Sequence, residues 1–332
     1  MNKLSVMIGN QPTGLGDFLI ACKPSVIYSL NNSPKADIDK YSPATLIVRR
    51  IQNGTWNRLP DAMGTQDYFL HEDPAASARH ELLEKTTHVD KLGNLNLIQY
   101  WKLGYADFYS PMCEPVLGEG PESPEKATWL NKWFYEAIQI AEDAGLRLSA
   151  YSFATRNPRL DLVPLLATSA RLLVQTGGIA EFHEYGFSNG LMTPGNMDSG
   201  AGRWRDVLDA LPIDARPRVM VSECGWGNGF TKQQSGAKFV DDLIAYGALL
   251  NTDDRMIGAC AFQLDQGKES CIDLSTMKLY GQRAAAQTPP SQAVTYNFKA
   301  ATFDPDTARQ IRTLLEPMKA DGKLSMYGEW QS

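Results

Sequence analysis

Eight short runs of β-branched and apolar residues recur along this chain, and the segments between them carry helical periodicity. The runs fall at 4–9 (LSVMIG), 25–30 (SVIYSL), 45–51 (TLIVRRI), 107–112 (DFYSPM), 147–152 (RLSAYS), 179–184 (IAEFHE), 218–223 (RVMVSE) and 256–262 (MIGACAF). Each has the length of a strand. Between them, 128–144 presents Leu130, Trp133, Phe134, Ala137, Ile138 and Ala141 as one apolar stripe, with Gly145 as its stop. Residues 237–250 repeat the pattern through Phe239, Val240, Leu243, Ile244 and Gly247, and a last helix is expected from Asp304–Pro305.

Strands alternating with helices pair in parallel through right-handed crossovers. Eight such units in 332 residues suit a closed (β/α)8 TIM barrel of the α/β class, a single domain over 1–332. An open doubly wound sheet is the alternative. Its phosphate-binding fingerprint is missing, because the glycines at 9, 14 and 16 have neither of the spacings that cradle a phosphate. Two connections are long, 52–106 after the third strand and 263–303 after the eighth; in a barrel both leave from the C-terminal rim, where active sites form.

Composition narrows the partners. A formal charge of −6 and a pI near 5.4 provide no basic field for a phosphate backbone or an anionic membrane, so a neutral or small substrate is expected. The opening MNKLSVMIGNQPTG is unlike a signal peptide, and every apolar run is broken within fewer than about 18 residues. The five cysteines are odd in number and lack C-x-x-C spacing, the pattern of reduced thiols in a cytoplasmic protein.

Two acids close apolar runs. Glu114 follows the fourth strand in PMCEP, and Glu223 ends the seventh in RVMVSECGW. A carboxylate at the end of a buried strand must be solvated, paired or used. In a barrel both lie at one mouth, from strands that face each other across it, an arrangement able to hold two carboxylates about 5–5.5 Å apart for double displacement at a sugar carbon. Strand alternation puts Glu181, His183 and Tyr185 on one face of the sixth strand and Glu184 on the other. A buried Glu181 would need a basic partner such as Arg50.

In strand order, PMCEP, EFHEYG and MVSECGW resemble clan A glycoside hydrolases, (β/α)8 enzymes that cleave β-linked sugars with retention. The resemblance spans nearly the whole chain. It implies that Glu114 is the acid/base and Glu223 the nucleophile, with His183 and Tyr185 as the His-x-Tyr of strand six and Tyr185 donating to the nucleophile. The chain departs from the family where Cys113 replaces the asparagine that usually contacts the sugar 2-hydroxyl; a thiol is a weak donor and lacks the amide's paired donor and acceptor. Phe262 and Gln263 stand where the family commonly has a strand-eight tryptophan.

Supporting positions follow from the same rim. Either Arg50 or Arg49 faces the mouth, since neighbouring side chains alternate. Asn10 and Asn157 serve as turn formers or as substrate contacts, and Trp226 as a stacking platform or an edge plug. Zinc held by Glu114, Cys113, Glu223, Cys224 and His183 lacks ligand spacing, so no metal and no cofactor are expected. The chemistry needs Glu223 ionised, aided by Tyr185, and Glu114 protonated, its pKa raised by the nearby negative charge. The expectation is a retaining glycosidase acting on a carbohydrate; the alternative is a catalytically impaired carbohydrate-binding or structural barrel.

Overall fold

Along most strands the side chains divide between two apolar clusters, and that division defines an inside and an outside. In this computed structural model, which describes residues 2–9, 14–30, 33–50, 73–84, 86–87, 95–115, 117–118, 120–186, 190–192, 200–226, 236–264 and 272–287, eight parallel strands form one sheet. They are β1 (Leu4–Ile8), β2 (Val26–Leu30), β3 (Leu46–Arg50), β4 (Phe108–Ser110), β5 (Ser149–Phe153), β6 (Ile179–Gly186), β7 (Arg218–Trp226) and β8 (Met256–Leu264). Their order is β4-β3-β2-β1-β8-β7-β6-β5, and a parallel bridge between Tyr109 and Leu148 brings the two edges together. The result is a nearly closed barrel of the α/β class.

Inside, Met7, Val26, Tyr28, Leu30, Val48, Phe108, Ile179, Met220 and Cys260 form one buried cluster. Outside, Leu4, Val6, Ile27, Ile47, Ala180, Val219 and Ala259 join the helices in a second. Period-two alternation produces this sorting. Toward the C-terminal ends the inward row becomes polar, with buried Arg50, Ser110 and His183, and buried Ser149 and Glu181 lie deeper. The site grows from that transition.

The helices match the apolar stripes. α1 (Leu15–Cys22) and α2 (Lys35–Tyr41) follow the first two strands, α5 (Ser123–Asp143) follows β4 and α6 (Ala167–Gln175) follows β5. α7 (Arg203–Ala210), α8 (Ala237–Leu250) and α9 (Leu274–Gln287) follow the last three strands. On α5, Leu130, Trp133, Phe134, Ala137 and Ile138 are buried, as its stripe predicts. That helix starts earlier than the stripe, because Pro124 sits in its first turn, where a missing N–H costs nothing.

The long connection after β3 contains α3 (Pro74–Arg79), which runs into a π-helical turn at His80–Glu84, and α4 (Leu97–Lys102). A reciprocal cap between Asn96 and Gln99 opens α4. Residues 51–72 lie outside the described residues. The connection after β8 is shorter than the expected 263–303, because α9 occupies 274–287, started by Asp273 accepting from the Thr276 backbone N–H at 2.6 Å.

Outward-facing Glu184 fixes α7. Its carboxylate accepts from the backbone N–H groups of Gly202 (2.8 Å) and Trp204 (3.3 Å) and from the Tyr246 hydroxyl (2.6 Å). Burial pushes this carboxyl up to about 7, against the pull of those hydrogen bonds.

The chain divides into two compact units, Met1–Ala284 and Ala285–Ser332. The barrel strands belong to the first. Residues 288–332 lie outside the described residues, and with them the helix expected from Asp304 and the expected single domain over 1–332. Among the described residues no helix is long and apolar enough to cross a membrane, and Cys22, Cys113, Cys224 and Cys260 are free thiols.

Candidate active site

Glu223 sits on β7 directly opposite His183 on β6. Its Oε1 is 3.1 Å from Arg50 Nη2, in an ion pair whose side chains are 7 % and 6 % exposed. Its Oε2 accepts from the Tyr185 hydroxyl at 3.0 Å. Burial would disfavour the charge on Arg50, but neighbours that include Cys113, Tyr28, Glu223 and Glu181 outweigh it and hold Arg50 well above the usual range. Tyr185 remains a phenol, since burial and the adjacent Glu223 both push its pKa up. Two such donors, one on each oxygen, aim the buried Glu223 side chain.

Of the two arginines at the end of β3, Arg50 is the one that turns inward. Arg49 turns outward, with its guanidinium carbon 5.2 Å from the Tyr100 ring centre on α4. Gly104 makes room for it, because a Cβ there would lie 2.4 Å from Arg49 Nη1.

Glu114 lies beyond β4, at φ 49° in the left-handed region. Its backbone N–H donates to the Ser152 carbonyl at 2.9 Å, which ties this segment to β5. Its Oε1 is 2.6 Å from His183 Nδ1, and its side chain is 33 % exposed. The same His183 nitrogen is 3.6 Å from Glu223 Oε2. One imidazole thus touches one carboxylate and approaches the other.

The proton balance of this pair differs from the expectation. Burial pushes the Glu114 carboxyl up, but the hydrogen bond and charge of His183, helped by Arg50, overcome it and leave Glu114 below the ordinary range. Burial pulls His183 down, but Glu223 and Glu114 more than compensate and raise it. Both directions favour the proton on the ring. Glu223 was expected to raise Glu114; the intervening His183 reverses the sign, because a hydrogen-bonded cation outweighs a more distant anion.

Glu181 is buried, and its direct partners are two hydroxyls. Ser149 donates to Oε2 and Ser152 to Oε1, each at 2.8 Å. Arg50 interacts with its charge as well. Ser152 also lies 3.0 Å from His183 Nε2. Neither serine was legible as a site residue.

The remaining candidates are more dispersed. Cys113 is partly shielded beside this network, and burial together with Glu223, Glu114 and Glu181 pushes its thiol well up, with Arg50 pulling the other way. The Phe262 ring stands edge-on to Tyr185 at 6.4 Å. Trp226 donates from its indole N–H to Asp242 at 2.7 Å and packs edge-on against Phe239 at 5.2 Å, the contacts of an edge plug. Asn157 forms a turn through its backbone N–H to Ala154 and precedes Pro158 by a cis peptide bond. Asn10 lies outside the described residues.

Cys113, His183 and Glu223 offer possible metal-binding atoms within 4.8 Å of one another. Both Glu223 oxygens and both His183 nitrogens already take part in the hydrogen bonds above, so an ion would have to displace them. Cys224, grouped with them in the zinc reading, packs in the outer cluster.

No protein-family model and no curated protein matches this chain. Among solved structures it is similar to a GH128 (subgroup I) endo-β-1,3-glucanase from Amycolatopsis mediterranei in complex with laminaritriose, at 15% identity and TM-score 0.46, over 86% of this chain and 100% of that one. It is also similar to the β-glucuronidase of Ruminococcus gnavus, at 9% identity and TM-score 0.48, over 86% of this chain and 50% of that one. A glucosidase from Croceicoccus marinus matches at 12% identity and TM-score 0.47, over 86% of this chain and 68% of that one.

Proposed function

We propose that this protein is a retaining glycosidase that cleaves β-glycosidic bonds of an oligo- or polysaccharide, with Glu223 as nucleophile and Glu114 as acid/base. The observation that carries this reading is the pair of carboxylates around one His183 nitrogen, at 2.6 Å and 3.6 Å. Those contacts bring one oxygen of each acid to the same ring atom, close enough for both carboxylates to act on one glycosidic bond.

The environments divide the labour. Arg50 and Tyr185 hold Glu223 by both oxygens and orient it, as attack on an anomeric carbon requires. Glu114 is the more exposed acid and shares a proton with His183, so it can protonate the leaving oxygen as the C–O bond breaks. Water then attacks the glycosyl-enzyme, yielding its proton to Glu114. Arg50, buried beneath the pair, stabilises the negative charge on Glu223 until the ester forms.

Hydrolysis of a panel of aryl β-glycosides, with Glu223→Ala as control and the product anomer followed by NMR, tests the proposal. Turnover with retention that disappears in the variant is expected. Activity that survives the substitution removes Glu223 as nucleophile, and an inverted product removes double displacement. Saccharide binding without turnover of any substrate would favour the catalytically impaired barrel.

A further inference from the structure

The register of β5 breaks beside the acid pair. Tyr151 and Ser152 are consecutive non-glycine residues in the left-handed region, at φ 78° and 44°, a conformation that side-chain-bearing residues rarely adopt. Pairing with β6 shifts between Ala150 and Phe153. Strict alternation from inward Ser149 would send Tyr151 inward and Ser152 to the helices. The bulge reverses both: the Tyr151 hydroxyl meets Ser169 on α6 at 2.7 Å, and Ser152 turns into the barrel.

Once inside, Ser152 is a junction. Its carbonyl accepts from the Glu114 N–H at 2.9 Å, its hydroxyl donates to Glu181 at 2.8 Å, and the same oxygen lies 3.0 Å from His183 Nε2. A hydroxyl has one hydrogen, and a carboxylate only accepts. With that hydrogen committed to Glu181, Ser152 presents a lone pair to Nε2, which must therefore carry hydrogen. Nδ1 and Glu114 Oε1 are 2.6 Å apart, too close for two bare acceptors, so a second proton lies between them.

We propose that Ser152 and Glu181 are positioning residues that keep one transferable proton in the His183–Glu114 contact, by fixing hydrogen on Nε2 so that the ring stays neutral after giving up the other. This rests on Glu114 being the acid/base. During glycosylation the N–H bond at Nδ1 breaks as an O–H bond forms on Glu114. That O–H breaks in turn as the leaving oxygen takes the proton, together with the electron pair of the cleaved C–O bond. In the second half water gives its proton to Glu114, which returns it to Nδ1. Without an acceptor at 181, the Ser152 hydroxyl would turn and donate to Nε2. The ring would then hold its single hydrogen on Nδ1, and releasing it would leave an imidazolate. Burial, Glu223, Glu114 and Arg50 act on the charge of the ring; Glu181 reaches it through Ser152, and the Cys113 thiol lies within 4.8 Å of a ring nitrogen.

Histidine-selective nitrogen-15 labelling of the full chain with long-range proton–nitrogen NMR tests this directly; His183 is identified by the signals that vanish in His183→Gln. In the wild type Nε2 should stay protonated from about pH 6 to about pH 9, because the neutral ring keeps that hydrogen and gives up only the one on Nδ1. Glu181→Met, which has no acceptor oxygen at similar volume, should lose the Nε2 proton signal. A wild-type ring with Nε2 bare and Nδ1 protonated overturns the proposal, whether or not Glu181→Met folds. In kinetics, Glu181→Met and Ser152→Ala should lose about tenfold more rate on alkyl glycosides, which need a proton to leave, than on dinitrophenyl glycosides, which do not. Equal losses on both overturn it. A protonated Nε2 in a protein that turns over no glycoside supports the hydrogen-bond assignment and defeats only the glycosidase reading.

Discussion

Arg50 and Glu223 form an ion pair at 3.1 Å across the barrel interior, and water barely reaches either side chain. Removing one partner of such a pair strands the other charge where it cannot be solvated. Arg50→Ala should therefore lose about 3–5 kcal/mol of stability, read from denaturant midpoints at unchanged slope. The double variant Arg50→Ala/Glu223→Gln should recover part of that loss. A single variant within about 0.5 kcal/mol of wild type would show that Glu223 has another compensating partner.

Tyr185 is the second donor to Glu223, at 3.0 Å. Tyr185→Phe keeps the ring against Phe262 and deletes only the hydroxyl. A hydrogen bond to a charged group contributes about 1.5–3 kcal/mol, so thermal stability should fall by that order and turnover of aryl glycosides by roughly tenfold or more. A full rate would mean that Arg50 alone orients the carboxylate.

Cys113→Asn asks whether the thiol limits the reaction. An amide can donate and accept toward a sugar hydroxyl where a thiol does so weakly, and one added neutral hydrogen bond is worth about 0.5–1.5 kcal/mol. A kcat/KM about 3- to 10-fold higher is expected. A fall would assign the cysteine to a different substrate contact.

Stability should also depend on pH through Glu184. Its carboxyl titrates at about 7 when folded against 4.5 ordinarily, so the native state holds a proton that the unfolded chain has released between those values. Stability is then highest below about 4.5 and declines as pH rises to about 7, by up to about 3 kcal/mol from this group. Comparing Glu184→Gln with wild type near pH 5 and pH 8 isolates the effect, because the variant lacks this slope. Parallel curves would show that Glu184 does not titrate in that window.

Much of this architecture was legible because it follows from period. The eight apolar runs became eight strands with ends within a few residues, and Phe239, Val240 and Leu243 are buried on α8 as their spacing requires. Inward Glu181, His183 and Tyr185 followed from alternation, and so did the opposite facing of Arg49 and Arg50. What escaped lies where the period fails. Ser152 reaches the site through a bulge, which no alternation rule foresees, and Glu181 takes two hydroxyl donors in addition to the expected charge of Arg50. The proton balance of Glu114 was misjudged because His183 stands between the acids, a fact of three-dimensional packing. The α4 cap, Asn96 with Gln99, was readable in principle but short, and the long loop around it masked the signal.

The outward turn of Arg49 and the inward turn of Arg50 have a consequence for assembly of the barrel. If β3 slid along its neighbours by a single residue, every side chain would change faces. Arg49 would leave the pocket that Gly104 and Tyr100 make for it, and Glu223 would lose its counterion in the same movement. Two adjacent cations with different destinations thus act as a check on alignment, and a misthreaded strand is penalised simultaneously at the wall and at the centre.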